Sequence, residues 1–320
     1  MSLSWPANAS GLDAWITGQR PARNPVNPWQ PYSFFTEDER SRDGEIVSVN
    51  TVFLTNRECP WRCLMCDLWK NTLAETVPAG SIPAQIEYAL ARLPESRHIK
   101  LYNSGSFFDP QAIPPADYPA IAALLARFEH VVVESHPGLV GENCLRFREM
   151  LSGRLEVAMG LETVHPAILP RLNKRMTLEQ FAAAAELLRA SALDLRVFIL
   201  VKPPFLPETE AVHWAERSLD FAFQCAAGCA TLIPTRTGNG ALDALAVSGD
   251  FNQPGIDTLE ACLEYGLGLR QGRVFADLWD LERFSKCSGC FQARAARLRQ
   301  MNLSQAVSER IDCRVCGERN

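Results

Sequence analysis

Three cysteines on one short segment are the residues of this sequence whose spacing points most directly to chemistry. They are Cys59, Cys63 and Cys66, in the stretch RECPWRCLMC, and their pattern is C-x3-C-x2-C. A structural zinc site or an ordinary four-cysteine cluster closes its coordination sphere with four protein ligands. Three thiolates with no fourth nearby predict a [4Fe-4S] cluster that keeps one iron open to a small ligand. The rival interpretation is a zinc knuckle completed elsewhere, or three incidental core thiols.

The segment that carries these cysteines follows the first of several predicted strands. Short apolar runs alternate with longer helical stretches, which predicts βα units around a parallel sheet. The predicted strands span residues 46–54, 99–102, 131–134, 155–161, 195–201 and 230–233. The predicted helices span residues 83–93, 117–128, 142–151, 178–192, 208–225 and 259–269. Six units favour a partial (βα)6 barrel of the α/β class, with its ligands at the carboxyl ends of the strands.

Composition divides the chain into three predicted regions. Residues 1–45 are rich in proline, asparagine, glycine and charge, and predict an extended N-terminal arm. Residues 46–284 form the predicted barrel, in which 273–278 is a possible further short strand. Residues 285–320 form a small cysteine-rich C-terminal module around an arginine-rich helix.

The C-terminal module contains two further cysteine pairs. They are Cys287 with Cys290 and Cys313 with Cys316, and both have the C-x2-C spacing. Paired knuckles of this kind usually make a four-thiolate metal site. The sequence leaves both zinc and an auxiliary [4Fe-4S] cluster open, and a chain already loaded with iron and sulfur favours the cluster.

Composition also limits where the protein works and what it meets. The 11 cysteines in a chain without an export signal argue for metal ligation in a reducing compartment rather than for disulfides. The formal net charge of -5 gives no overall attraction to RNA or to an anionic membrane. No apolar run is long enough for a membrane span. We therefore expect a cytoplasmic protein, with RNA possible but not favoured as a partner.

The cysteine motif after the first strand of a partial barrel resembles the radical SAM superfamily. The resemblance covers about residues 46–235. It implies that S-adenosylmethionine binds the open iron, and that its reductive cleavage yields a 5′-deoxyadenosyl radical that abstracts hydrogen from a substrate. It also implies an electron donor such as flavodoxin or ferredoxin.

The resemblance further implies which residues hold the cosubstrate. Met65 stands where the superfamily usually has an aromatic residue against the adenine. The turn after the second strand would meet the methionine amino group, the ends of the third and fourth strands would make polar contacts, and an arginine would meet the methionine carboxylate. The remaining residues in these positions are Asn103, Ser104, Gly105, Ser106, Glu134, Ser135, Glu162 and Arg175.

The stretch KLYNSGSFFDPQAIP, with Leu64 to Cys66, looks like the radical SAM subunit of archaeosine synthase, which acts on a modified 7-deazaguanine in tRNA. The acidic composition makes a small polar metabolite, as in natural-product or sugar tailoring, the first substrate hypothesis. A nucleobase in tRNA is the alternative, and a non-catalytic redox sensor is a third interpretation. Polar candidates at the barrel mouth are Asp109, His136, His165, Lys202, Arg236 and Asn239, and candidate hydrogen donors are Cys225, Cys229 and Cys262.

Overall fold

One sheet of eight strands, whose order follows the chain, organises the molecule. The computed structural model describes residue 6 and residues 8–315. The strands are β1 (Ser33–Arg40), β2 (Ile46–Phe53), β3 (His98–Tyr102), β4 (His130–Ser135), β5 (Arg154–Glu162), β6 (Asp194–Val201), β7 (Cys229–Pro234) and β8 (Arg273–Ala276). β1 pairs with β2 in antiparallel fashion, and every later pair of neighbours is parallel. The sheet curls into a half-barrel, so the predicted α/β partial barrel is confirmed.

Helices connect the parallel strands and cover the outer face of the sheet. They are α1 (Ala9–Gly18), α2 (Ser81–Leu90), α3 (Tyr118–Leu125), α4 (Glu142–Met150), α5 (Leu178–Ala190), α6 (Glu208–Gln224), α7 (Ala241–Ser248), α8 (Ile256–Leu269) and α9 (Ser288–Ser304). On β3, Ile99 and Leu101 are fully buried in the main apolar core that the helices share, whereas Lys100 makes ion pairs with β1. This alternation arises because one face of the sheet packs against the helices and the other face lines the barrel interior. Every helix in the described part of the chain is too short or too polar to span a membrane.

The N-terminal region is not simply extended, because α1 and β1 lie within it. β1 pairs along its full length with β2, from Ser33 opposite Phe53 to Arg40 opposite Ile46. The strand had no alternating apolar pattern that would predict it, since its second half reads EDER. Glu37 and Glu39 face charges on other strands rather than an apolar core, which explains why the pattern is missing.

Buried ion pairs cross the interior of the half-barrel at its amino end, and we call their residues the charged floor (Glu39, Lys100, Glu156, Arg196, Arg273). Arg196 of β6 bonds Glu39 of β1 at 2.6 Å and Glu156 of β5 at 2.5 Å. Lys100 bonds Glu39 at 2.5 Å, and Arg273 bonds Glu156 at 2.8 Å. Because Glu39 reaches β3 and β6 from β1, these bonds cross the barrel interior.

The free edge of β8 is covered by side-chain amides from α9. Asn302 accepts from the Ala276 N–H at 2.8 Å and donates to the Ala276 carbonyl at 2.9 Å. Gln305 makes the same pair of bonds to Val274, at 2.8 and 2.9 Å. A sheet edge with unpaired backbone groups is a liability, and these amides satisfy it. α9 also packs against β1 and so fills the seam between the first and last strands.

Candidate active site

The cysteine loop leaves the carboxyl end of β2 and crosses the mouth of the half-barrel. Cys59, Cys63 and Cys66 are partly exposed residues, and burial of their sulfurs raises the pKa of each thiol to about 12. Their three sulfurs do not all lie within 4.8 Å of one another, unlike those of a second cysteine group described below. Such a spread suits a multi-iron cluster better than one small ion.

Two asparagine side chains fix this loop from opposite sides. Asn239 donates to the Leu64 carbonyl at 2.8 Å and to the Cys66 carbonyl at 3.2 Å. Asn173, in left-handed conformation, donates to the Arg62 carbonyl at 2.7 Å. The sequence predicted Asn239 as a substrate candidate at the barrel mouth, but the structure uses its amide to hold the cysteine loop.

Glu58, directly before the first cysteine, is surrounded by arginines. Arg20 bonds its carboxylate at 2.7 Å, Arg62 lies 3.2 Å from it, and Arg23 forms a further ion pair. These contacts attach the N-terminal region to the loop. The loop conformation therefore depends on residues outside the predicted barrel.

A stacked aromatic pair closes one side of the loop. The ring of Trp61 lies on that of His136 at a centroid distance of 3.7 Å and an angle of 11°. The N–H of Gly138 donates to Nδ1 of His136 at 3.0 Å, so Nε2 carries the proton and donates to the Lys174 carbonyl at 2.9 Å. Burial, with the Lys174 charge, lowers the pKa of His136 to about 4. At neutral pH this histidine is an uncharged wall of the site.

The turn 103–106 at the end of β3 packs directly against the loop. A Cβ on Gly105 would lie 3.3 Å from the Cβ of Cys59, so the absence of a side chain permits this approach. Glu134 organises the turn by accepting from the Asn103 N–H at 2.5 Å and from the Gly105 N–H at 3.5 Å. Burial raises the pKa of Glu134 to about 7, against the opposing effect of these N–H groups. Ser104 is held through its hydroxyl by Tyr32, at 3.1 Å.

A buried ion pair at the end of β5 completes this side of the site. Lys174 bonds Glu162 at 2.7 Å, and both side chains are almost fully buried. A β-bulge between Gly160 and Glu162, with a positive φ of 66° at Glu162, turns the carboxylate toward this position. A Cβ on Gly160 would lie 2.2 Å from the carboxylate and 2.5 Å from the ammonium, so glycine leaves space for the pair. The sequence predicted Glu162 here but not Lys174.

Comparison with known proteins extends the resemblance of the two loops to more than half of the chain. No family model matches. Archaeosine synthase subunit beta of Methanosarcina acetivorans is 31% identical over 193 residues, which are 56% of this chain and 56% of that protein. An uncharacterized protein of Methanocaldococcus jannaschii is 28% identical over 199 residues, which are 58% of this chain and 54% of that protein. The chain thus spans about half the length of the curated relatives it matches.

Among solved structures, archaeal Elp3 of Methanocaldococcus infernus shares the fold. It has a TM-score of 0.52 at 14% identity, over 79% of this chain and 63% of that chain. The aligned relatives, the half-barrel and the three-cysteine loop after its first parallel strand agree with one another. The chain therefore has the fold of archaeal Elp3 and is similar in sequence to archaeosine synthase subunit beta. A [4Fe-4S] cluster and S-adenosylmethionine remain the cofactors predicted from the cysteine motif.

The radical SAM cofactors fit the residues that line this mouth. Asn103 is fully buried, yet neither its Oδ1 nor its Nδ2 has a hydrogen-bond partner. A buried amide without partners costs free energy unless a ligand satisfies it. Asn103 lies in the turn that the sequence assigns to the methionine amino group, beside the loop of cluster thiols. The three thiols are suitable ligands for a cluster, and the unpartnered amide can bind a polar, zwitterionic molecule beside it.

The other cosubstrate residues predicted from the radical SAM resemblance have varied surroundings, and their roles stay predictions. Met65 packs between two small apolar clusters beside the loop, and Ser135 donates to the His136 carbonyl at 3.1 Å. Ser106 accepts from the His136 N–H at 2.6 Å. Arg175 forms an ion pair with Asp13 of α1. That pairing turns Arg175 toward the N-terminal helix, whereas Lys174 is the cation placed among the site carboxylates.

The remaining polar candidates for substrate contact are engaged within the fold. Asp109 caps its own loop by accepting from the Gln111 N–H at 2.9 Å, and His165 packs on Trp214 at 4.2 Å between ring centroids. Lys202 bonds Glu208 at 3.0 Å, and Arg236 pairs with Asp277. Each of these contacts is sufficient to explain the residue without a substrate.

The three hydrogen-donor candidates are not brought together at the mouth. Cys229 begins β7 and Cys225 follows the last residue of α6, so both lie at the amino edge of the sheet, opposite the cysteine loop. Cys262 is buried on α8. The structure therefore gives no support to a hydrogen-donor role for any of them.

Three of the four C-terminal cysteines do converge. The ligand atoms of Cys287, Cys290 and Cys313 all lie within 4.8 Å of one another, and the Cys287 and Cys313 sulfurs are 3.8 Å apart. The fourth predicted ligand, Cys316, lies outside the described residues. This group is a candidate metal site separate from the cysteine loop.

Proposed function

We propose that this chain is an enzyme that uses its cluster and S-adenosylmethionine to take a hydrogen atom from a second substrate held in the half-barrel. The observation that carries this proposal is the unpartnered Asn103 amide beside the three-cysteine loop. Cys59, Cys63 and Cys66 would hold the cluster, which when reduced by an external donor would supply the electron for cleavage of S-adenosylmethionine into methionine and a 5′-deoxyadenosyl radical.

The residues around the mouth position the cosubstrate and keep it dry. Glu134 holds the turn 103–106 in shape through backbone N–H groups, so the Asn103 amide has a fixed direction. The pair of Glu162 and Lys174 provides one acceptor and one donor without net charge. The Trp61 and His136 rings exclude water on the side facing the loop. A dry and fixed site protects a reactive radical from side reactions.

The reaction class is tested by mixing the anaerobically reconstituted protein with S-adenosylmethionine and dithionite. We expect 5′-deoxyadenosine from the wild type and none from Cys63→Ala, because the cluster loses a ligand. Cys225→Ala is the matched control and should retain the yield, since it lies at the opposite edge of the sheet. A cluster-loaded wild type that forms no 5′-deoxyadenosine would contradict the proposal and favour the redox-sensor interpretation.

For the substrate, a flat nitrogen heterocycle of the nucleobase kind has the most support. The similarity to archaeosine synthase subunit beta favours a nucleobase in tRNA. The interior also presents consecutive aromatic rings, with centroid distances of 5.5 Å from Tyr32 to Phe53, 5.8 Å from Phe53 to Tyr102 and 6.2 Å from Tyr102 to Phe198. Such rings suit stacking against a planar base. The net charge of -5 keeps a small polar metabolite as the second candidate.

Adding bulk tRNA to the protein separates the two substrate classes. A nucleobase in tRNA predicts a salt-dependent mobility shift of bulk tRNA with the protein, and a rise in 5′-deoxyadenosine above the uncoupled level. No shift at low salt and no rise would reject tRNA and leave the free metabolite. Flavodoxin or ferredoxin, tested in place of dithionite, is the proposed physiological donor.

A further inference from the structure

We propose that Cys287, Cys290 and Cys313 bind a single zinc ion rather than an auxiliary iron–sulfur cluster, and that this ion anchors α9. The proposal reverses the preference that the sequence suggested for this site. It does not depend on the proposed reaction, because it concerns only the C-terminal cysteines and the helix that follows the first of them.

The distances between the sulfurs decide between the two metals. A zinc ion with Zn–S bonds of about 2.3 Å places its tetrahedral sulfurs about 3.8 Å apart. A [4Fe-4S] cube binds one thiolate at each iron corner, so its thiolate sulfurs lie roughly 6 Å apart. Cys287 and Cys313 are 3.8 Å apart, and all three ligand atoms lie within 4.8 Å of one another. These separations match a mononuclear site and are shorter than those in a cube.

The cysteine loop at the barrel mouth provides an internal comparison. It also has three thiols, yet no such compact group forms there among the described residues. One chain therefore contains a spread triplet suited to a cluster and a compact triplet suited to one ion. The compact triplet is also the more buried, with exposed fractions of 8%, 4% and 6%.

The position of the compact triplet shows what a zinc ion would stabilise. Cys287 is the residue directly before α9, and Cys290 lies in its first turn, where the helix dipole favours anionic thiolates. Cys313 lies at the end of the segment that returns along α9. Arg297 ties this segment to the helix by donating to the carbonyls of Ser308 and Glu309, both at 2.7 Å. One ion would close the loop from residue 287 to 313 and hold α9 over the β8 edge.

Metal content is best measured in a variant that cannot form a cluster at the cysteine loop. The variant with Cys59, Cys63 and Cys66 all changed to Ala is reconstituted anaerobically with iron and sulfide, desalted and analysed for both metals. We expect one zinc and no iron per chain, and zinc X-ray absorption showing only sulfur ligands at about 2.3 Å. About four irons per chain, or neither metal, would overturn the proposal.

The anchoring role is tested in the same background. Cys290→Ser is expected to lose the zinc and to lower the melting temperature by at least roughly 5 °C, whereas Cys225→Ser, the control, should keep both values. If Cys290→Ser does not fold, the variant that lacks Cys59, Cys63 and Cys66 is titrated with a mercurial reagent instead. We expect the release of one zinc per chain and a parallel fall in melting temperature. Zinc loss without a change in melting temperature would refute the anchor. Cys316→Ser tests the fourth ligand expected from the sequence.

Discussion

The side chain of Asn103 combines full burial with two unpartnered polar atoms. We predict that Asn103→Ala weakens S-adenosylmethionine binding about tenfold, which corresponds to one hydrogen bond of ordinary strength. The free energy of unfolding of the cofactor-free protein should change by less than about 1 kcal/mol, because the loss of packing is offset by removal of an unpaired amide. Equilibrium binding to the reconstituted protein and urea denaturation measure the two effects.

Asn143→Ala is the matched control for this prediction. Asn143 lies on α4 and makes one long bond to the Phe108 carbonyl, at 3.5 Å. Its replacement should leave cosubstrate affinity unchanged. Unchanged affinity in Asn103→Ala together with reduced stability would mean that the amide has a purely structural role.

At the residue scale, the sequence suggests candidate site residues where the side-chain types and their spacing are sufficient. The spacing of the loop cysteines and the small residues of the turn 103–106 need no tertiary information. Lys174 was missed because its neighbours Asn173 and Arg175 both have a left-handed φ of 55°, which changes which side chain of this segment faces the site. A left-handed backbone conformation at residues other than glycine is hard to predict from a single sequence.

At the element scale, the amides of Asn302 and Gln305 replace the missing neighbour of β8. We predict that Asn302→Ala lowers the free energy of unfolding by roughly 1–3 kcal/mol, because the Ala276 N–H and carbonyl lose their partners. The measurement is chemical denaturation followed by circular dichroism. Gln300→Ala, an exposed position on the same helix, should have almost no effect. Equal stability of the two variants would show that water satisfies the β8 edge.

The elements themselves were predicted where a periodic apolar pattern exists. Helix α5, which the sequence predicted over residues 178–192, begins with a capping box between Thr177 and Gln180, with bonds of 3.0 and 3.2 Å. β1 was not predicted because its inward residues are charged, and their partners come from strands more than 60 residues away along the chain. Sequence periodicity reports apolar burial, so a strand buried through ion pairs escapes it.

At the scale of the whole molecule, the charged floor makes stability depend on pH. Burial alone would raise the pKa of Glu156, but Arg196, His130 and Arg273 hold it well below its ordinary value of 4.5. Arg196 and Lys100 likewise lower the pKa of the buried Glu39. Both groups therefore take up protons on unfolding in acid. We predict that the free energy of unfolding is constant with respect to these groups above about pH 5 and falls progressively below it.

Glu156→Gln tests this prediction. It should lower stability at pH 7 by roughly 3–5 kcal/mol, because Arg196 and Arg273 lose a buried counter-charge. It should also make the acid-induced fall shallower, as measured by urea denaturation from pH 7 to pH 3. Glu129→Gln, in an exposed pair with Arg97, should leave the pH profile unchanged. A wild-type profile that is flat down to pH 3 would show that the floor carboxylates are not held ionised.

The same floor has a consequence for the order of turnover. Ion pairs cross the interior from β1 to β6 at its amino end, so we expect ligands to enter past the cysteine loop at the carboxyl end. In the proposed reaction, S-adenosylmethionine and the second substrate enter there, and methionine, 5′-deoxyadenosine and the second product leave there. The ligand seated deeper must arrive first and leave last. Steady-state kinetics should therefore show a compulsory order of binding. Only the product that leaves last should inhibit competitively with respect to the ligand that binds first.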